Sequence, residues 1–452
     1  MITKIITRTV LALIILFALA FAVLQFLAVS SLNTLIEEAR ANPPAPPVWE
    51  TRLESEPTEA ETAPNGPLNE TPGEAGLDAR QEVIFVGNNW QGTITVIARN
   101  GYRTIGVIDG IPDRLERFEA IKDAFFGRLL FYGIRHLVGE GNDQYVDDMY
   151  SSLDGRRLIV SRPSFADVVA IDTASGAILW RFPVSGSRAD HMALSPDGRH
   201  VAVSASTGDR VHIIDIATGE EHGQFPSGDS PHENVYSKDG KQLFHASIGN
   251  VFSPFDISGG GFLKGRRVFQ VVDTESFEII ERFDMRDKLD AAGLEDLSPA
   301  VRPMAHTEDE QTFYFQLSFL HGFVEYDRAS GTITRKVDLP KKTTLPRTSY
   351  VNDSAHHGIA INAADTTLCV AGTMDDYVAL VDLETEEATL LEGLGKKPYW
   401  VVTDKTGENC YVSWSETDQV SVINYEAAEE IARIDVGDHP QRVREGYIAI
   451  AR

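Results

Sequence analysis

The chain has 452 residues, and its acidic side chains outnumber the basic ones 67 to 41, a net charge of −26. That surplus repels phosphate backbones and excludes nucleic acid as a natural partner, while its ordinary effect is solubility in a crowded compartment. A chain this long fits one large repeat domain, in which similar units bury a continuous core between them.

Residues 1–9 carry Lys4 and Arg8, and Val10 to Leu32 is almost uninterrupted apolar sequence. At about 1.5 Å per residue that run crosses a bilayer core, so residues 10–32 are expected to be a transmembrane signal anchor, the chain's link to the membrane. The two basic residues should stay in the cytoplasm, with Glu37 and Glu38 and everything after them on the periplasmic or extracellular side. Ala18-Leu19-Ala20 and Ala20-Phe21-Ala22 resemble signal-peptide cleavage sites, but the apolar run continues past both, which favours an uncut single-pass anchor. Residues 33–80 turn to Pro, Glu, Thr, Ala and Gly; they cannot bury enough apolar surface to offset their ordering entropy and are expected to be a disordered spacer.

From residue 81 to 452 one hairpin phrase recurs seven times: an alternating apolar strand, a turn rich in Asp, Ser, Thr and Gly, and a second strand. Its anchor positions are Ala98, Asp172, Asp215, Asp273, Asp327, Asp382 and Asn424, and the closest steps, from Asp172 to Asp215 and from Asp382 to Asn424, have the length of a four-stranded blade. An upstream phrase supplies two more strands, joined in three copies by an Asp-Gly turn at Asp154, Asp197 and Asp239. The first unit lacks an inner strand, and the C-terminus reads as inner-strand material. The fold class is therefore all-β: a seven-bladed β-propeller closed by N- and C-terminal strands, with short helical insertions. Which terminal strand pairs with which stays open, since Tyr447–Arg452 and Glu82–Val86 compete for one place.

Two insertions break the pattern. Pro112 to His136 places Leu115, Phe118, Ile121, Phe125 and Leu129 at helical spacing, and Met285 to Ala300 is also helix-prone. Cys369 and Cys410 lie one residue out of register in their repeats and should point to opposite sheet faces, so no disulfide is expected.

Registering the repeats on their turns brings Asp147, Asp190, His232, His357, Tyr399 and Gln441 to one equivalent position, just before the innermost strand. Beside them fall Asp148, His191, Glu233, Gly358 and Trp400, and Arg302, His306, His356 and His439 lie in the same segments. Inner-strand starts face a propeller's axis at one mouth, so these residues should form an axial ligand-binding face. Its imidazoles and carboxylates suit a transition metal such as copper, zinc or iron, with ligands drawn from His191, His232, His306, His357 and His439. The remaining histidines, His321 among them, fall where surface or packing roles are expected. The chain has no HExxH, CxxC, Gly-rich phosphate loop or nucleophile elbow.

The phrase SPDGRHVAVSASTGDRVHIIDIATGE resembles the YVTN repeat, and Ala170 to Gly176 followed by Trp180 resembles the docking repeat of quinoprotein propellers. The likeness covers roughly residues 82–452 and implies the propeller architecture. Only one repeat has the full tryptophan pattern, which argues against a pyrroloquinoline quinone enzyme. Propellers of this shape include enzymes and binding platforms, so fold does not select function. The tether, the spacer and the missing catalytic motif favour a non-enzymatic module whose axial face binds a protein, an envelope component or a small ligand. The alternative is a metal-dependent oxidoreductase or hydrolase, lactonase-like, built on the axial histidines.

Overall fold

The structure is a computed structural model and describes residues 2–49, 80–137, 139–251, 263–350 and 353–449. The chain divides into two compact units: Met1–Ala45 with Ile111–Asp143, and Pro46–Gly110 with Gln144–Arg452.

The second unit is the propeller. Its described residues form seven four-stranded sheets. Blade 1 combines Arg80–Asp109 with the strand Pro440–Ala449; blades 2 to 7 span Asp148–Pro183, Ala189–Pro226, Pro231–Asp284, Val301–Asp338, Ile359–Glu392 and Pro398–Asp435. Both sides of the middle strands are buried, as at Leu158, Ile159 and Val160, because each sheet is sandwiched between two neighbours. Inner hairpins share one turn chemistry. The Ser152 hydroxyl donates to Asp154 and accepts from the Arg157 amide, and Ser195 with Asp197, Ser237 with Asp239, and Thr307 with Asp309 repeat the pattern. Gly155, Gly198 and Gly240 supply the left-handed φ of 68–71° that three of these turns need. Trp180 ties blade 2 to blade 3, donating its indole N–H to the Ile216 carbonyl at 3.1 Å.

The C-terminal strand closes the ring. Pro440–Ala449 runs antiparallel to Arg80–Asn88, from Arg80 opposite Ala449 to Asn88 opposite Pro440. The two segments that seemed to compete for one place are therefore partners. Pro46–Trp49 rests on the propeller: the Trp49 ring lies over Gly106, where a Cβ would meet it at 2.5 Å, and Pro47 lies against Gly176.

The structure corrects the cysteine expectation. Cys369 of blade 6 and Cys410 of blade 7 form a disulfide with Cα atoms 6.6 Å apart. The opposite-face argument holds within one sheet, but side chains on opposite faces of consecutive blades face each other across the interface. Both cysteines sit in one inter-blade cluster with Ala371, Val412 and Trp414.

In the first unit, helix α1 (Ile2–Ala41) runs on past the boundary expected at residue 32. The insertion expected as one helix is two, α2 (Arg114–Asp123) and α3 (Gly127–Leu137), broken where Ala124 adopts an extended conformation. Most of the spacer lies outside the described residues. In the propeller, α4 (Met285–Ala291) joins blade 4 to blade 5, capped by the Asp284 carboxylate, which accepts from the Arg286 amide.

The disulfide closes a 41-residue separation. Replacing both cysteines by alanine is expected to lower stability by roughly 2–4 kcal/mol in denaturant titration. Unreduced, denatured protein should show no maleimide-reactive thiol; two reactive thiols would contradict the bridge.

Candidate functional site

Each blade contributes two consecutive residues at the start of its inner strand. Strand pairing aligns Asp147, Asp190, His232, Arg302, His357, Tyr399 and Gln441 in one ring, and Asp148, His191, Glu233, Pro303, Gly358, Trp400 and Arg442 in the next. In five blades the pairing register shifts at this place, as between Ala189 and Met192 or Pro398 and Val401. Such an irregularity re-aims side chains, so neighbours along the chain, which would otherwise alternate between faces, both turn toward the mouth.

The axis is where these rings meet. His191 of blade 3 stands 3.8 Å from His232 of blade 4, ring centre to ring centre, and both lie within 6.4 Å of His357 from blade 6. Blades 3 and 6 are not neighbours in a ring of seven, so only convergence at the centre brings their side chains this close. His357 stacks on Tyr399 at 4.1 Å, and Trp400 lies about 6 Å from His191 and His357.

Polar pairing here is uneven. Asp148 is saturated: Arg444 grips it with two hydrogen bonds of 2.8–2.9 Å, and it accepts from the Met192 amide. Glu233 meets His191 Nδ1 at 2.7 Å, Asp190 accepts from Ser206, and the Arg302 Nε donates to Ser318. Other groups are buried without a hydrogen-bond partner among the described residues: all three guanidinium nitrogens of Arg442, both ring nitrogens of His357, His232 Nδ1, Trp400 Nε1 and one Asp147 oxygen. Arg442 lies flat on Trp400, 3.5 Å from the ring centre, with its nearest carboxylate, Asp148, at 3.9 Å.

Burial sets the protonation. It drives His191, His232 and His357 well below the usual imidazole range, and Arg442 and Arg302 reinforce the effect. All three imidazoles are therefore neutral, with lone pairs available to a metal. Burial pushes Asp147 and Glu233 the other way, up to about 7. Asp190, His191 and His232 offer ligand atoms within 4.8 Å of one another.

Of the residues expected at the axial face, Asp148, Asp190, His191, His232, Glu233, Arg302, His357, Tyr399 and Trp400 belong to these rings. Three do not join them. His306 ends its strand, bonds to the Thr307 carbonyl and packs beside Phe244 and Phe313. His439 stacks on Trp90 at 3.8 Å. His356 joins His321 around Asp375, at 3.2 and 2.6 Å, in a separate buried cluster that also takes up Tyr377. Arg442 was missed although it stands one residue after Gln441, in the column of His191 and Trp400; extending the second ring to the C-terminal strand would have found it.

No protein-family model and no curated protein matches the chain. Among solved structures it is similar to Kuenenia stuttgartiensis hydrazine synthase, at 15% identity and a TM-score of 0.50, over 68% of this chain and 96% of that one. At that identity the likeness concerns the fold alone.

Asp147 and Glu233 have folded-state pKa values above their unfolded ones, so between about pH 4 and pH 7 the native state binds the more protons. Their contribution to stability is full below that window and is lost as pH rises through it. Glu233→Gln should therefore stabilise the protein at pH 8 relative to wild type by on the order of 1 kcal/mol, and have less effect at pH 4. Thermal melts across pH 4–8 check this; equal shifts at both ends would refute it.

Proposed function

We propose that the chain is a membrane-anchored, extracytoplasmic binding module whose axial mouth takes up a small anionic ligand. The observation that carries this is Arg442, 1% exposed, with no hydrogen bond to any of its three nitrogens among the described residues and with Asp148 already claimed by Arg444. A guanidinium presents a planar fork of donors that matches a carboxylate or oxyanion, and burying such donors unpaired costs roughly 1–3 kcal/mol or more. A ligand anion would relieve that penalty, with His357 and Trp400 beside it able to complete its shell. The groups that line the site are buried, as those of small-ligand sites usually are.

Support for an exported setting comes from the apolar N-terminal helix and from the disulfide, a bond that persists in oxidising compartments. A second reading, a transition-metal centre on Asp190, His191 and His232, is favoured by the convergence of their ligand atoms and by the neutrality of the imidazoles. It would make metal-dependent chemistry on the bound anion possible.

The readings separate by pH. Anion affinity should fall as Asp147 and Glu233 ionise through about pH 7, whereas metal uptake should rise across the same range. Titration calorimetry with a panel of small carboxylates and oxyanions, alongside elemental analysis, is expected to find an anion whose affinity drops at least tenfold in Arg442→Gln. If every anion that binds does so equally well to that variant, the anion reading fails. Stoichiometric metal lost in His232→Ala would establish the second reading.

A further inference from the structure

The helical unit holds an apolar surface that its own folding does not use. On α1, Ala28, Leu32, Ile36 and Ala39 form a buried stripe, and the helix lies against both α2 and α3. Phe118 and Phe131 are buried within the same unit. Farther toward the N-terminus the described α1 side chains turn outward: Leu16, Phe17, Leu19, Val23, Leu24, Phe26 and Leu27 are all exposed.

The α2–α3 corner sits on that outward-facing stretch. Phe125 meets Phe21 at 5.9 Å, and Arg128 donates to the side chain of Gln25, the polar residue inside the apolar run. Residues 21–25 precede Leu32 by seven to eleven positions, which is about 10–16 Å along a helix. If α1 spans a bilayer with its apolar run in the hydrocarbon, this corner lies below the headgroups of the leaflet from which α1 emerges.

The insertion is built for that place. Phe126, Leu130 and Ile134 follow one another at four-residue spacing, on one face of α3, and are exposed along with Phe125; Phe126 reaches 76% exposure. Exposed apolar residues in a row, on a unit this small, mark an interaction surface. The stretch from Ala124 to Leu137 contains no acidic residue and carries Arg128, Arg135 and His136, in a chain whose net charge is −26. A short helix with an apolar face and basic flanks is the form taken by interfacial membrane helices. By contrast α2 is polar, and its Glu119 pairs with Arg40 near the water-side end of α1.

We infer that α3 is a second membrane element. It lies beside α1 below the headgroups, with Phe125, Phe126, Leu130 and Ile134 among the acyl chains and Arg128 satisfied in its polar contacts by the Gln25 side chain and the Lys122 carbonyl. The occupant of this face is thus a lipid bilayer rather than a protein. The chain is held by two helices, one crossing the bilayer and one entering the same leaflet beside it. This rests on α1 being an uncut anchor, and the test separates the two claims.

Full-length protein is reconstituted in vesicles of phosphatidylcholine and phosphatidylglycerol, with single-cysteine reporters labelled with an environment-sensitive fluorophore at Val23→Cys, Glu116→Cys, Phe126→Cys and Leu130→Cys. The native cysteines are bridged and buried and take no label. Probes at 126 and 130 should be blue-shifted and quenched by lipids bearing a nitroxide on the acyl chain, like the probe at 23 but unlike the probe at 116. Water-like emission at 126 and 130 with a quenched probe at 23 would overturn the α3 proposal and leave the anchor standing. Blue-shifted emission at 126 and 130 without lipid quenching would mean that protein covers this face, and would also overturn it. An unquenched probe at 23 would remove both claims.

Discussion

A propeller is a stack of sheets bent into a circle, and nothing within one blade compels the circle to close. Here closure is made by backbone hydrogen bonds between the two ends of the domain, Pro440–Ala449 against Arg80–Asn88. That pairing removes two open sheet edges at once. It also completes the site: Arg442 and Arg444 stand on the closing strand, so the guanidinium without a hydrogen bond among the described residues and the one that neutralises Asp148 reach the axis only when the ring is shut. Fold closure and site assembly are one event.

The electrostatics of the mouth follow from that geometry. Seven inner strands bring carboxyl, imidazole and guanidinium groups together in the interior, and for Asp147, Glu233 and the three histidines burial shifts protonation more than any single neighbour does. The imidazoles lose their protons, and Asp147 and Glu233 are pushed toward the neutral form, which shifts the balance of fixed charge toward arginine. A strongly acidic protein thus carries at its centre a locus that favours negative charge. Net charge describes solubility and says little about the inside of a cleft.

Much of this architecture is legible in the sequence because propeller repeats are local. The Asp-Gly turns, the alternating hairpins and the register of Asp147, Asp190, His232, His357 and Tyr399 each depend on a few dozen residues. What escaped was decided between blades. Cys369 and Cys410 were assigned correctly to opposite faces, but the faces were treated as those of one sheet, when consecutive blades turn opposite faces toward each other. His306 and His439 look like members of the histidine ring by segment, yet a shift of a few residues along the strand carries each away from the axis to aromatic partners. His321 falls outside the aligned inner-strand positions, where a surface or packing role is expected; its partner Asp375 lies in the next blade.

The seat of Trp49 on Gly106 bears on how load travels through the molecule. Tension applied through α1 reaches the propeller first at Pro46–Trp49, before the chain returns to the domain at Arg80. A pull from α1 is therefore borne first at the outer strand of blade 1, by the Trp49 ring on Gly106, ahead of the inner pair from Arg80 opposite Ala449 that closes the ring.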